Sequence, residues 1–281
     1  MSAIRVLFDE PGPKARARIR LTTVATVVVL LSILALVLVQ FGSHGQLEPA
    51  KWTQFTETPI LRYIAGGLVS TLQAAAVAAV FSIPLGALFS VLRLSRTTSV
   101  RWLSTAYIEI FRSTPLLLLV YLFVGGLPAV GVNVPIFWKL VIPMILVNVA
   151  VLAEIFRAGV ASLPRGQSEA GLSIGLTYSQ NLRSIVFPQA IRLVIPALVT
   201  QIVALLKDTT LGYAASYPEL MKTATNLTAF TGYLIQTYLV IALVYVVLNF
   251  LLSKLAEYLE RRINGGARTS RAVAQVTVPA E

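Results

Sequence analysis

RAGVASLPRGQSEAGLSIGLTYSQNLRSIVFPQAIR, residues 157–192, is the longest connection between two apolar runs of this chain, and it is patterned. Pro164 and Gly166 end the helix before it. Ser168 is placed to cap a short helix, with Glu169 at the positive end of its dipole. Gly175 stops that helix after about two turns, as a C-terminal glycine does. Thr177-Tyr178-Ser179-Gln180 then has the form of a capping box that opens the next helix. Ala170, Leu172 and Ile174 leave the short helix partly apolar. A helix of about two turns has little stability alone. Docking into a groove on a partner supplies what it lacks.

The runs on either side set the fold class. The chain is 281 residues long, 56% hydrophobic and only 12% charged. A soluble domain carries about twice that charged fraction. A bilayer core needs about 20 apolar residues per helix. Runs of that kind lie at about 21–41, 65–92, 114–130, 136–156, 193–212 and 234–253. The expectation is an all-α integral membrane protein with six transmembrane helices. The first run follows Arg16, Arg18 and Arg20, but it is too long for a secretory signal and no A-x-A-like site follows. It reads as a retained span.

Six spans put both termini on one side, and the basic residues test which. Of the 23 Lys and Arg residues, 18 fall on the side of the termini. Only Lys51, Arg62, Lys139 and Lys222 fall opposite, and Lys207 lies within a span. That bias places both termini in the cytoplasm. It also accounts for the net charge of +11 without nucleic acid. Residues 1–20 then form a basic cytoplasmic arm, and 264–281 reads as a disordered tail. The Gly, Ala and Ser residues of the second run suit close helix packing.

Several chemistries are excluded or disfavoured. There are no cysteines, so thiol catalysis and thiolate metal sites are out. The single histidine, His44, is a loop residue and makes no metal site alone. No cofactor is implied. No G-x-x-x-x-G-K-[ST] phosphate loop occurs, and no loop is long enough for an ATPase or a receptor. If the chain moves a solute uphill with ATP, other chains supply motor and receptor. It is then a transport subunit and not itself an enzyme. The rival is an ion-coupled carrier that works without an ATPase.

Residues 157–192 discriminate between the two. Glu169-Ala170-Gly171, then Gly175, Ile185 and Pro188, resembles the EAA signature of ABC importer permeases. Tyr107-Ile108-Glu109-Ile110-Phe111-Arg112-Ser113-Thr114-Pro115 resembles the Y-x-E-x-F-R-G-T-P run of the polar amino-acid members. Leu206-Lys207-Asp208-Thr209-Thr210-Leu211 resembles their L-K-D-T-S-L run. Gly171, Ser113 and Thr210 depart from those patterns by small-for-small changes. The resemblance covers about 63–260. It implies a five-helix permease core, with the N-terminal helix as an addition seen in glutamate-type permeases. It implies that Gln167, Ser168, Glu169, Ala170, Gly171 and Gly175, in a coupling loop at about 157–188, couple to an ATPase subunit present in two copies. It further implies a solute-binding protein outside, a second permease subunit, a polar amino acid as substrate with glutamate the candidate, and a bacterial cell membrane.

The charges inside the spans leave two readings open. Glu154, Lys207 and Asp208 each cost at least about 2.5–3.5 kcal/mol at mid-membrane unless paired or hydrated. They pair with one another structurally, or with Thr209 they border the substrate path. The tetrapeptide EIFR occurs twice, at 109–112 and 154–157. Topology gives Glu109 a solvated position and puts Glu154 about one turn deeper, so only Glu154 is a candidate for the path.

Overall fold

The computed structural model describes residues 12–274, which fall into two units divided between Glu57 and Thr58. The first unit carries α1, Pro13–Ser43. Proline at a helix start loses nothing, since its missing N–H would be unpaired there. Beyond Arg20 the helix is apolar on every side, and its apolar stretch is not buried. That surface suits lipid. The helix begins earlier than the expected span and includes Lys14, Arg16, Arg18 and Arg20. His44 closes it, with Nδ1 2.9 Å from the Gln40 carbonyl oxygen.

The second unit contains α2 (Thr58–Arg93), α3 (Thr98–Ser113), α4 (Leu116–Ala129), α5 (Ile136–Ala161), α6 (Arg165–Ser173), α7 (Tyr178–Tyr213), α8 (Leu220–Thr231) and α9 (Leu234–Ala274). Five of the described helices, α1 among them, are long and apolar enough to cross a membrane. A sixth span arises if the bent pair α3–α4 counts as one. No strand occurs among the described residues.

The core lies where α2 meets α5. Ala74 and Ala78 are fully buried there beside Leu140, Val141 and Met144. A Cβ on Gly86 would stand 2.5 Å from that of Leu152. The small residues of the second run are therefore a packing surface that lets two backbones approach.

Four differences from the sequence reading have physical causes. The third span is preceded by a helix, α3, at 95° to α4. Pro115 disfavours helical backbone at Thr114, whose ψ is 125°. One face of α3 buries Ser104 and Ile108, the latter against Ala150 and Ala153. Its short, spaced apolar positions concealed it in what reads as a loop. The short helix begins at Arg165 with Pro164 at its N-cap, so Ser168 lies inside it and does not cap it. Residues 213–233, the connection between the fifth and sixth apolar runs, contain α8. Finally, α9 continues to Ala274 through the first part of the expected tail, and 275–281 lie outside the described residues.

Candidate functional site

α6 is held on one side and open on the other. Gly171 is buried, and a Cβ there would strike Asn181 Oδ1 and lie 2.9 Å from Ile185 Cδ1. Asn181 Nδ2 donates to Ser168 O at 2.9 Å and to Ser168 Oγ at 3.0 Å. Gln189 Nε2 donates to Gln167 Oε1 at 3.0 Å. The small residue at 171 thus lets α6 seat on the start of α7. Gly175 ends α6 with φ +87°, its N–H bonding Leu172 O at 3.0 Å while the Leu176 N–H bonds Gly171 O at 3.3 Å. This is a Schellman ending, which requires a left-handed residue. The expected capping box is present: Thr177 N–H donates to Gln180 Oε1 at 2.9 Å, and Gln180 N–H to Thr177 Oγ1 at 3.4 Å. Gln167, Glu169 and Ala170 are exposed, as are Leu172 and Ile174, the last at 76%. An apolar edge therefore faces out of a helix too short to stand alone.

The two EIFR copies meet. Arg93, the last residue of α2, donates through Nη1 to Glu154 Oε2 at 2.8 Å and through Nη2 to Glu109 Oε1 at 3.0 Å. Arg157 Nε lies 3.0 Å from both Glu154 oxygens, and Arg112 Nη1 is 4.0 Å from Oε2. Three guanidinium groups thus surround two carboxylates, and α2, α3 and α5 are joined. The Glu109 side chain is 57% exposed and that of Glu154 24%. Arg93 escaped the sequence reading because a single arginine ending an apolar run looks like any interfacial charge.

Lys207, Asp208 and Thr209 lie apart from that cluster. Asp208 Oδ2 accepts from Asn148 Nδ2 at 3.5 Å, and Asn148 Oδ1 accepts from Gln201 Nε2 at 2.7 Å. Among the described residues neither Lys207 nor Asp208 forms an ion pair. Lys207 is exposed. Thr209 is buried and its hydroxyl donates back to Leu206 O at 2.7 Å. Asn148 and Gln201 carried no sequence signal beyond polarity in an apolar run.

A fourth polar group stands at the start of α8. Glu219 is fully buried and accepts from the N–H of Met221 at 2.7 Å, the N–H of Lys222 at 2.6 Å and the Tyr245 hydroxyl at 3.1 Å. Burial pushes its carboxyl up to about 7, against the pull of those donors. No group of three His, Cys, Asp or Glu side chains among the described residues is placed to hold a metal ion.

Residues 82–265 match the family described as binding-protein-dependent transport system inner membrane component. The glutamate transport system permease protein GluD of Corynebacterium glutamicum is 34% identical over 239 residues, 84% of this chain and 88% of that protein. The glutamate/aspartate import permease protein GltK of Escherichia coli O6:H1 is 36% identical over 212 residues, 73% of this chain and 95% of that protein. Among solved structures, an amino acid ABC transporter crystallised with histidines is 30% identical, with a TM-score of 0.69 over 75% of this chain and 97% of that one. The MetNI methionine ABC transporter, 20% identical, shares the fold with a TM-score of 0.62 over 74% of this chain and 99% of its own. A family match over most of the chain, on a fold that solved relatives share, leads to one assignment: the chain belongs to the inner membrane components of binding-protein-dependent transport systems, the permease family of ABC importers.

Proposed function

We propose that this chain is the permease subunit of an importer for a polar amino acid, with glutamate the leading candidate. The observation that carries the reading is α6, anchored on one face by Asn181 and open on the other, beside long apolar helices that carry Glu154 and Asp208. The relatives that carry glutamate in their names support the substrate class. A receptor outside the cell delivers the solute. Two copies of an ATPase dock on the exposed face of α6, and their closure moves the bundle. A second permease subunit, identical or paralogous, completes the path, since two motors need a symmetric or pseudo-symmetric pair of docking helices. Glu154, Lys207, Asp208 and Thr209 border that path. The protein lies in a bacterial inner membrane with both termini in the cytoplasm.

The test is uptake of radiolabelled glutamate by proteoliposomes holding the chain with its ATPase and receptor. ATP-dependent uptake that stops without ATPase is expected, with Gly175→Glu blocking docking or uncoupling hydrolysis from uptake. Accumulation by this chain alone on an ion gradient would overturn the reading.

A further inference from the structure

We propose that α3 lies flat at the cytoplasmic surface of the membrane and that Arg101, with Trp102 beside it, binds the headgroup of an anionic phospholipid. The choice of leaflet rests on the orientation proposed above; the contact itself rests on the helix.

Direction comes first. α3 stands at 95° to α4. An α4 that crosses the membrane leaves α3 close to the plane of its surface. The 36-residue helix α2 ends at Arg93 and α3 starts at Thr98, so α3 lies at the level where a span comes to an end. That level is the boundary between hydrocarbon and headgroups.

The sides of α3 are sorted to match. The Tyr107 hydroxyl donates to Leu146 O at 2.9 Å, near the midpoint of α5, so that side of α3 faces the membrane interior. Leu103 and Ile110 lie within about 60° of Tyr107 round the helix. They are 61% and 58% exposed, on the flank opposite the buried Ser104 and Ile108. Arg101, Glu109 and Arg112 lie about 120–160° from Tyr107, on the outer side. A helix that is apolar below, polar above and open along one flank has the form of a segment resting in a bilayer interface. Trp102, 67% exposed, stands at the edge of the polar side, where the indole of an interfacial belt sits.

Charge selects the lipid. Arg93 is bonded to Glu109 and Glu154, Arg112 adjoins Glu154, and Arg96 stacks over Tyr178 at 4.5 Å. Arg101 is exposed, and among the described residues its side chain has no ion pair or hydrogen bond. Glu109, the one acidic residue of α3, is held by Arg93. A free guanidinium beside an interfacial indole fits a phosphodiester, which it grips with two N–H groups. In a zwitterionic lipid the headgroup's own cation competes for that phosphate. An anionic lipid has no such competitor.

The experiment uses the full chain with Trp52→Phe and Trp138→Phe, which leaves Trp102 as the single indole. It is reconstituted in phosphatidylcholine vesicles with rising fractions of a lipid brominated on its acyl chains, either phosphatidylglycerol or phosphatidylcholine. Bromine quenches indole fluorescence on contact. Bromines near the headgroup should quench Trp102 more than bromines near the chain ends. Half-maximal quenching should need about fivefold less phosphatidylglycerol than phosphatidylcholine, the effect of one arginine at an anionic surface. Arg101→Gln should erase that preference and Arg101→Lys should keep part of it, both at unchanged depth. Equal quenching by the two lipids, or a preference that survives Arg101→Gln, overturns the headgroup site. Stronger quenching by deep bromines, or none from either lipid, overturns the flat helix. Inorganic phosphate at constant ionic strength should leave the preference intact; a reduced preference would give Arg101 to a soluble anion and overturn the lipid. Fluorescence is read without transport and with both leaflets alike, so a failed uptake test or an inverted topology is distinct from failure here.

Discussion

Glu219 occupies the N-cap of α8 with both carboxylate oxygens engaged by backbone N–H groups, yet burial holds its carboxyl up at about 7. Desolvation outweighs the donors because the residue is fully inside the protein. The sign of the pH dependence follows. The folded form holds its proton more tightly than an unfolded chain, whose ordinary value is 4.5. Stability from this group is complete below about 4.5 and is lost as pH rises through about 7. The purified protein is expected to melt at lower temperature at pH 8 than at pH 5, with a smaller difference in Glu219→Gln. Equal pH slopes in the two proteins would refute this. Glu154 poses the reverse problem, since three arginines surround it. Glu154→Gln leaves them under-compensated, so uptake should fall roughly tenfold, the worth of one charged hydrogen bond, with the complex still assembled. Wild-type uptake rates would remove Glu154 from any role in the path.

At the scale of elements, α6 is tied down by two side chains outside it, Asn181 with two bonds and Gln189 with one. Asn181→Ala removes both bonds to Ser168 and should loosen α6 by about 1–3 kcal/mol. Amide hydrogen exchange over 165–173 should quicken, and pull-down of the ATPase should weaken while the remaining helices keep their protection. Unchanged exchange would show that Gly171 packing and the Gln189–Gln167 bond suffice to hold the helix. The start of α7 and the end of α6 were legible beforehand, because a capping box and a terminal glycine write themselves into four or five letters. The start of α6 was not: Pro164 fits an N-cap backbone with no side-chain signal, and Ser168 offered a false one. The long spans were legible from hydropathy alone. Missed were α3 and α8, whose apolar residues make only one buried stripe, and every contact that joins distant helices. Nothing in EIFR said that its two copies share Arg93, or that Asp208 answers to Asn148. Such pairs exist only once helices α2, α3, α5 and α7 lie side by side.

At the scale of the whole molecule, the absence of native cysteine makes orientation directly measurable. Single cysteines at Ser99, between α2 and the body of α3, and at Asn133, between α4 and α5, are on exposed residues. In intact cells a membrane-impermeant maleimide should label Asn133→Cys and spare Ser99→Cys, and inside-out vesicles should give the opposite. Labelling of Ser99→Cys from outside would invert the topology that the basic residues indicate.

The arginine cluster and the Asn181 anchor together have a mechanical consequence. Arg93 rivets α2, α3 and α5 into one block, so a push on α6 finds little give there. α6 is bolted instead to the foot of α7. From Asn181 to Asp208 that helix is a rod of about 40 Å, with Pro188 and Pro196 as its compliant joints. On the function proposed above, a stroke delivered at α6 would reach the far end of α7 as a tilt of the Asp208 carboxylate against Asn148. At 3.5 Å, that contact is longer than the bonds of 2.9–3.0 Å that tie α6 to α7 at the other end, and it would be the first to give.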